Sequence, residues 1–261
     1  MELLFNLSSG DVISNFSKKT PVVNSVGELL IPLKKQEIIT DNLQLFLNSR
    51  NINSYSGTGA NWLDLSPNSF VSSLINTPSY SANNGGLINF NGIDQSATII
   101  NDFELDYSAP FTIQTVVNLS SGFSIYPHIF SFRGSSARMN LFYSESEAYK
   151  GLNFGDVTSM VRRTNELINY DAFNLITLSF LGGDFTNHSN YSIEVNSVNK
   201  PTTTTGQILV SGSKNRIGNT GTPRSGYWWK GSVPVVLVYG KLLNTVEKNN
   251  NYNLLSKVYN F

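Results

Sequence analysis

Tyr55, Tyr126, Tyr227 and Trp228 are the residues whose types fit a recognisable binding chemistry, with Asn219 and Arg224 near the last two in sequence. Aromatic faces can stack on a sugar ring while amide and guanidinium groups bind its hydroxyls, and a few placed polar groups of this kind give a site its specificity. If the chain alternates through Trp228-Trp229, one of the two must face inward, and Trp62 is expected to fill the core. Other chemistries lack their residues. The 261-residue chain has no Cys and two His, which removes disulfides, thiolate metal sites and thiol catalysis together. It carries no Gly-x-Ser-x-Gly elbow. His128 alternates with Phe130 in a strand-like segment and is expected to be structural, and His188 lies in an Asn-rich turn. Gly57-Thr58-Gly59-Ala60-Asn61-Trp62 breaks the dinucleotide fingerprint at its last glycine and follows no βα context.

The elements that must hold these residues are strands. The chain is 40% hydrophobic and only 14% charged, and its abundant Asn and Ser favour turns over helices. Phe111, Ile113, Thr115 and Val117 alternate with Thr112, Gln114 and Val116. Faces also recur at His128, Phe130 and Phe132; at Met139, Leu141 and Tyr143; at Ile176, Leu178 and Phe180; and at Tyr191, Ile193 and Val195. Ile208–Val210 and Asn215–Ile217 read as shorter strands, and Leu43, Leu45 and Leu47 give a first one. Val233 to Tyr239 is apolar at nearly every position and bounded by Gly231 and Gly240, as expected of a strand covered on both faces. Asn244, with Glu247 three residues later, predicts a capping box and a C-terminal helix. Strands recurring with Gly, Asn and Ser between them predict an all-β, two-sheet antiparallel sandwich or jelly roll.

Eighteen basic and eighteen acidic residues cancel, so the bulk charge predicts neither a nucleic-acid partner nor a membrane surface. No window reaches the roughly 18 apolar residues of a membrane span, and Met1 to Asn6 carries no recognisable export signal. Residues 1–38 differ from the rest. Apolar clusters at Leu3-Leu4-Phe5, Val22-Val23 and Leu29-Leu30-Ile31 are separated by Ser, Asn, Gly and Pro. They read as an extended arm, with 39–261 as the globular domain. The arm is expected to anchor the domain to a neighbouring subunit in an oligomeric assembly, for example by adding a strand to an exposed edge.

Three blocks of residues resemble the concanavalin A-like lectin/glucanase superfamily, in its LamG-like jelly-roll branch. The first runs from Thr40-Asp41-Asn42-Leu43 through Ser54-Tyr55-Ser56-Gly57 to Trp62-Leu63-Asp64-Leu65-Ser66. The second is Phe90-Asn91-Gly92-Ile93-Asp94-Gln95. The third is Ile217-Gly218-Asn219 with Trp229-Lys230-Gly231 to Tyr239 and the following helix. The resemblance covers residues 39–260 and implies a context in tailed-phage virions: a structural protein of the head, tail or fibre, bound to other virion proteins through its arm. A carbohydrate-binding module that adheres to host glycan is the alternative. Glycoside hydrolysis is a remote third reading. Enzymes of the glucanase branch present Glu-x-Asp-x-(x)-Glu on one strand, because retaining hydrolysis needs two close carboxyl groups. Here Glu104-Leu105-Asp106-Tyr107-Ser108 lacks the third acid, Glu145-Ser146-Glu147 does not fit either, and no enzyme is expected. Many relatives hold calcium on loop oxygens, which makes Asp94, Asp102 and Asp106 candidate ligands. The competing reading of Asp94 is a residue that hydrogen-bonds its own turn without a cofactor.

Overall fold

An apolar run with no polar face must lie inside a sheet with other layers on both sides. A computed structural model of the chain describes residues 22–23, 29–30, 37–82, 86–100, 103–133, 138–146, 150–156, 159–164, 168–184, 187–203, 215–220 and 225–261. In chain order the strands are β1 (Val22–Val23), β2 (Leu29–Leu30), β3 (Leu43–Asn48), β4 (Asn61–Leu63), β5 (Val71–Ile75), β6 (Ser79–Ser81), β7 (Leu87–Asn91), β8 (Ser96–Ile100) and β9 (Phe111–Leu119). They continue as β10 (His128–Arg133), β11 (Arg138–Ser144), β12 (Gly151–Asp156), β13 (Ser159–Thr164), β14 (Phe173–Phe180), β15 (Tyr191–Val195), β16 (Val198–Asn199), β17 (Thr202–Thr203), β18 (Asn215–Ile217) and β19 (Lys230–Tyr239). Helix α1 spans Thr245–Tyr259. The expected strand at Ile208–Val210 lies outside the described residues.

The chain divides into two units, residues 1–37 and 38–261. In the first, β1 and β2 form a short antiparallel ladder that pairs Val22 with Leu30 and Val23 with Leu29. The second is an all-β sandwich of two antiparallel sheets. Nine strands run in the order β17-β13-β12-β11-β10-β18-β8-β5-β4, and the facing sheet runs β16-β15-β14-β9-β19-β7-β6. β3 lies beside the second half of β19, pairing Val235 to Tyr239, while β7 pairs its first residues, Lys230 to Ser232. β9 covers the whole of the other edge of β19. Gly231 is required in this crowded ladder: its φ is +123°, and an added Cβ would stand 2.2 Å from the Asn118 carbonyl oxygen.

Alternation along β19 separates two cores. Val233, Val236 and Val238 point between the sheets with Trp62, Phe130, Leu141, Leu178, Phe180 and Trp229. Val235, Leu237 and Tyr239 point away, toward Leu243, Leu255 and Tyr259 at and on the helix. A register shift between Val238 and Tyr239 against β3 splits the three leucines of that strand. Leu45 and Leu47 enter the inter-sheet core, and Leu43 joins the helix-side one. Among the described residues no helix is long and apolar enough to cross a membrane.

The capping box on α1 forms as its spacing predicts. Asn244 Oδ1 accepts from the Glu247 N–H at 3.0 Å, and Glu247 Oε2 accepts from the Asn244 N–H at 2.9 Å. Three consecutive Asn residues make this a weak helix by propensity, and its register on the sheet is fixed by a polar contact instead. Buried Asn251 donates to Gln114 Oε1 at 2.7 Å and to Tyr239 OH at 2.9 Å, and accepts from the Ile39 N–H at 3.0 Å. Gln114 Nε2 in turn donates to Thr177 Oγ1 at 3.1 Å. The helix therefore closes a satisfied polar network over one outer face of the sandwich.

Lys241 bridges Asp41 and Glu247, each at 2.6 Å. Asp41 and then Glu247 raise the Lys241 ammonium above its ordinary value. For Glu247, burial works upward, but Lys241 and the Asn244 N–H outweigh it and hold the carboxyl below the usual range. A depressed carboxylate contributes stability above its unfolded pKa of about 4.3, and that contribution is lost as pH falls through the folded value. The raised lysine contributes fully below about 10.4 and loses its share as pH rises through its folded value. Asn244→Ala is expected to cost about 1 kcal/mol, read as a drop of roughly 2–4 °C in Tm. Glu247→Gln should flatten the acid limb of Tm against pH and leave the neutral plateau lower.

Candidate functional site

The outer face of the eight-stranded sheet is covered by α1, whereas polar side chains line the outer face of its nine-stranded partner. Alternation places them there. Trp62, Leu74, Ala97, Ile217, Phe130 and Met139 point into the inter-sheet core, so their neighbours in sequence point out. The registers then set these neighbours in one row. Asn61 is opposite Ser73, Ser73 opposite Thr98, Thr98 opposite Arg216, Arg216 opposite Ser131, and Ser131 opposite Asn140. Six polar residues on six adjacent strands thus form a line across the sheet, about 24 Å long at ~4.8 Å per strand. Exposure falls along it. Asn61 is exposed, Ser73 and Thr98 are half-buried, and Arg216, Ser131 and Asn140 are 9%, 0% and 1% exposed.

An aromatic cluster stands beside the buried end of the row. A bulge between His128 and Phe130 lets His128 pair with Phe142 while Phe130 pairs with Leu141. His128 therefore leaves the face of Phe130 and Phe132, where simple alternation put it, and joins Asn140 and Phe142 on the outer one. Its ring stacks on Phe142 at 4.8 Å and lies 5.1 Å from Tyr227. Tyr126 meets Phe142 edge-on at 6.2 Å and Tyr227 at 5.7 Å. Backbone bonds hold the two segments together: the Tyr126 N–H donates to the Gly226 carbonyl and the His128 N–H to the Tyr227 carbonyl, at 2.9 and 3.1 Å.

Tyr126 and Tyr227 come together, both half-buried. Trp229 is the inward member of its pair and belongs to the core, while Trp228 is half-buried with its carbonyl held by Ser124 Oγ at 2.9 Å. Tyr55 is not with them: it is 4% exposed, packed edge-on against Tyr80 at 5.2 Å, and its hydroxyl donates to the Gly59 carbonyl. A ring enclosed this way has no face for a sugar. Asn219 is 0% exposed and its Oδ1 accepts from the Thr220 N–H, so it supports the turn after β18. Arg224 and Asp102 lie outside the described residues.

The acidic candidates have local partners. Asp94 accepts from Asn91 Nδ2 at 2.8 Å and Asn76 Nδ2 at 3.2 Å, while Asn91 Oδ1 caps the turn through the N–H groups of Ile93, Asp94 and Gln95. Asp106 Oδ1 accepts from the Ser108 N–H and hydroxyl at 2.8 and 2.6 Å, and these bonds hold its carboxyl below the usual range. Among the described residues no three His, Cys, Asp or Glu side chains gather as metal ligands. Of the carboxylates tested for hydrolysis, Glu104 pairs with Arg133 and Glu145 accepts from Tyr170 OH.

The row differs from the network around Asn251 in one energetic respect. Around Asn251 every polar atom named above has its partner. On the nine-stranded sheet, Thr98 Oγ1, Ser131 Oγ, Asn140 Oδ1 and Arg216 Nε are buried and have none. An unsatisfied buried polar group costs about 1–3 kcal/mol, and native structures keep few of them. Sequence reasoning singled out none of these four. The signal was the even positions of Met139-Asn140-Leu141-Phe142-Tyr143, polar or aromatic between core residues, and an arginine in the middle of a three-residue strand.

No family model and no curated relative matches the sequence. Solved structures match the fold. Domain 4 of AbnA, an extracellular arabinanase of Geobacillus stearothermophilus, in complex with arabinotriose, is 13% identical with a TM-score of 0.54, over 85% of this chain and 100% of that one. Trypanosoma rangeli sialidase in complex with 2,3-difluorosialic acid is 14% identical with a TM-score of 0.56, over 92% of this chain and 36% of the sialidase. The binding domain of botulinum neurotoxin DC in complex with SialylT is 13% identical with a TM-score of 0.55, over 83% and 52% of the two chains. The chain thus spans about a third of the sialidase and half of the toxin domain's chain. At these identities the likeness is one of fold, a jelly-roll sandwich consistent with the concanavalin A-like architecture, and fold does not fix function.

Because the Ser131 hydroxyl is buried without a partner, Ser131→Ala removes a desolvated group and leaves little void. It is expected to raise stability by about 1 kcal/mol, measured by urea unfolding of the unliganded protein. A loss of similar size would mean that the hydroxyl is satisfied, for instance by a buried water.

Proposed function

We propose that this chain is a non-enzymatic carbohydrate-binding module whose site is the outer face of the nine-stranded sheet. One observation carries the reading: a row of polar side chains with unpartnered buried atoms runs beside the half-buried rings of Tyr126 and Tyr227. Sugars need this combination, hydrogen bonds to hydroxyls and an aromatic face for the ring's C–H groups. The solved structures of similar fold that were determined with saccharides support the reading at the level of architecture. The absence of catalysis is supported by the local commitments of Glu104, Asp106 and Glu145 to Arg133, Ser108 and Tyr170. Adhesion to host polysaccharide would be the role of such a module.

A glycan array followed by calorimetry tests it. Tyr227→Ala is expected to weaken binding roughly three- to tenfold, the worth of one aromatic contact, and Asn140→Ala by a similar factor through one hydrogen bond. The same titration in calcium and in EDTA reads out any cation requirement. Failure to bind any saccharide at millimolar concentration would overturn the reading.

A structural role in a phage virion, with the domain joined to other virion proteins through residues 1–38, is the second reading. It is favoured by the division of the chain after Glu37 and by the residue blocks that resemble the LamG-like branch. Deleting residues 1–38 should leave a cooperatively folded domain that no longer joins its assembly. Normal assembly of the truncated protein would exclude the arm as anchor.

A further inference from the structure

Among the described residues no acid balances the charge of Arg216. Two enclosed lysines among the described residues meet carboxylates: Lys248 pairs with Glu194, and Lys241 with Asp41 and Glu247. Arg216 is more buried than either lysine at 9% exposure, yet the hydrogen bond its side chain makes runs from Nη1 to the Ser96 hydroxyl at 3.1 Å. Its Nε is buried without a partner, and among the described residues no acid pairs with it. Burial alone pulls the guanidinium below its ordinary value, though an arginine stays charged in proteins. A buried charge without a counter-charge is strongly unfavourable, and proteins keep one where a partner arrives from outside.

We infer that Arg216 binds the carboxylate of a uronic acid in an acidic saccharide and makes the site selective for anionic over neutral glycans. This rests on the carbohydrate-binding reading and adds the ligand's charge to it. The planar guanidinium fork matches a carboxylate through two parallel N–H···O bonds, one of which uses the unoccupied Nε–H. The registers put hydroxyls on both sides of it, Thr98 on β8 and Ser131 on β10, with Asn140 one strand further. These neighbours suit the hydroxyls that flank a sugar's carboxylate. Exposure rises along the row toward β4 and β5, where Asn61 is exposed and Ser73 and Thr98 are half-buried.

The test titrates tetrasaccharides of galacturonate, mannuronate and glucuronate, each beside its carboxyl-reduced neutral counterpart, with a sulfated galactan tetrasaccharide as a further arm. At least one uronate is expected to bind tenfold or more tightly than its reduced form. Arg216→Gln should reduce that ratio to near one. Arg216→Leu, which removes the unpaired charge, should raise the Tm of the unliganded protein and so shows that the variants fold. Equal affinity for acidic and neutral members would overturn the inference and leave the carbohydrate-binding reading standing. Preference for the sulfated arm would overturn the carboxylate assignment. No binding in any arm would overturn both.

Discussion

The requirement that β19 be covered on both faces governs the architecture. A strand that is apolar at nearly every position cannot lie at a surface, so one face takes the second sheet and the other takes a helix. That helix is poor in apolar residues and is set in place by its capping box and by Asn251. Its amide reaches Gln114 on β9 and Tyr239 on β19, tying the central ladder to the last element of the chain. The sandwich, the helix-side core and the register of the C-terminus all follow from where these valines and leucines point.

The same physics leaves an asymmetry between the outer faces. On one, the network around Asn251 is buried under the helix with its hydrogen bonds made, although Tyr259 OH on the helix is buried without a partner. On the other, the polar side chains at one end of a line are buried with oxygens and a guanidinium nitrogen unpaired, next to the half-buried rings of Tyr126 and Tyr227. A fold optimised for stability alone would have replaced Ser131 and Arg216 with apolar residues at little steric cost. Sites that give up stability in this way are expected where a ligand completes them.

Most of the fold was legible in the sequence because its strands alternate cleanly. Met139, Leu141 and Tyr143, Ile176, Leu178 and Phe180, and Tyr191 and Ile193 face the core as their spacing implies, and the capping box followed from two residues. What stayed hidden depends on register, which no single segment encodes. The bulge at Ile129 moves His128 to the outer face, and the shift beside Tyr239 sends Leu43 to a different core from Leu45. The site was half legible. Tyr126 and Tyr227 were visible as aromatics with no obvious core role, but Tyr55 and Asn219 looked similar and proved to be packing and turn residues. The row from Asn61 to Asn140 takes one residue from each of six strands and passes through β18, which comes from the far end of the chain, so it exists only once the sheet is assembled.

The most direct measurement is amide hydrogen exchange with and without a saturating oligosaccharide that binds. Added protection is predicted along β10, β11 and β18, centred on Ser131, Asn140 and Arg216, and in the segments around Tyr126 and Tyr227. Protection confined to α1 or to the strands of the eight-stranded sheet would contradict the placement of the site.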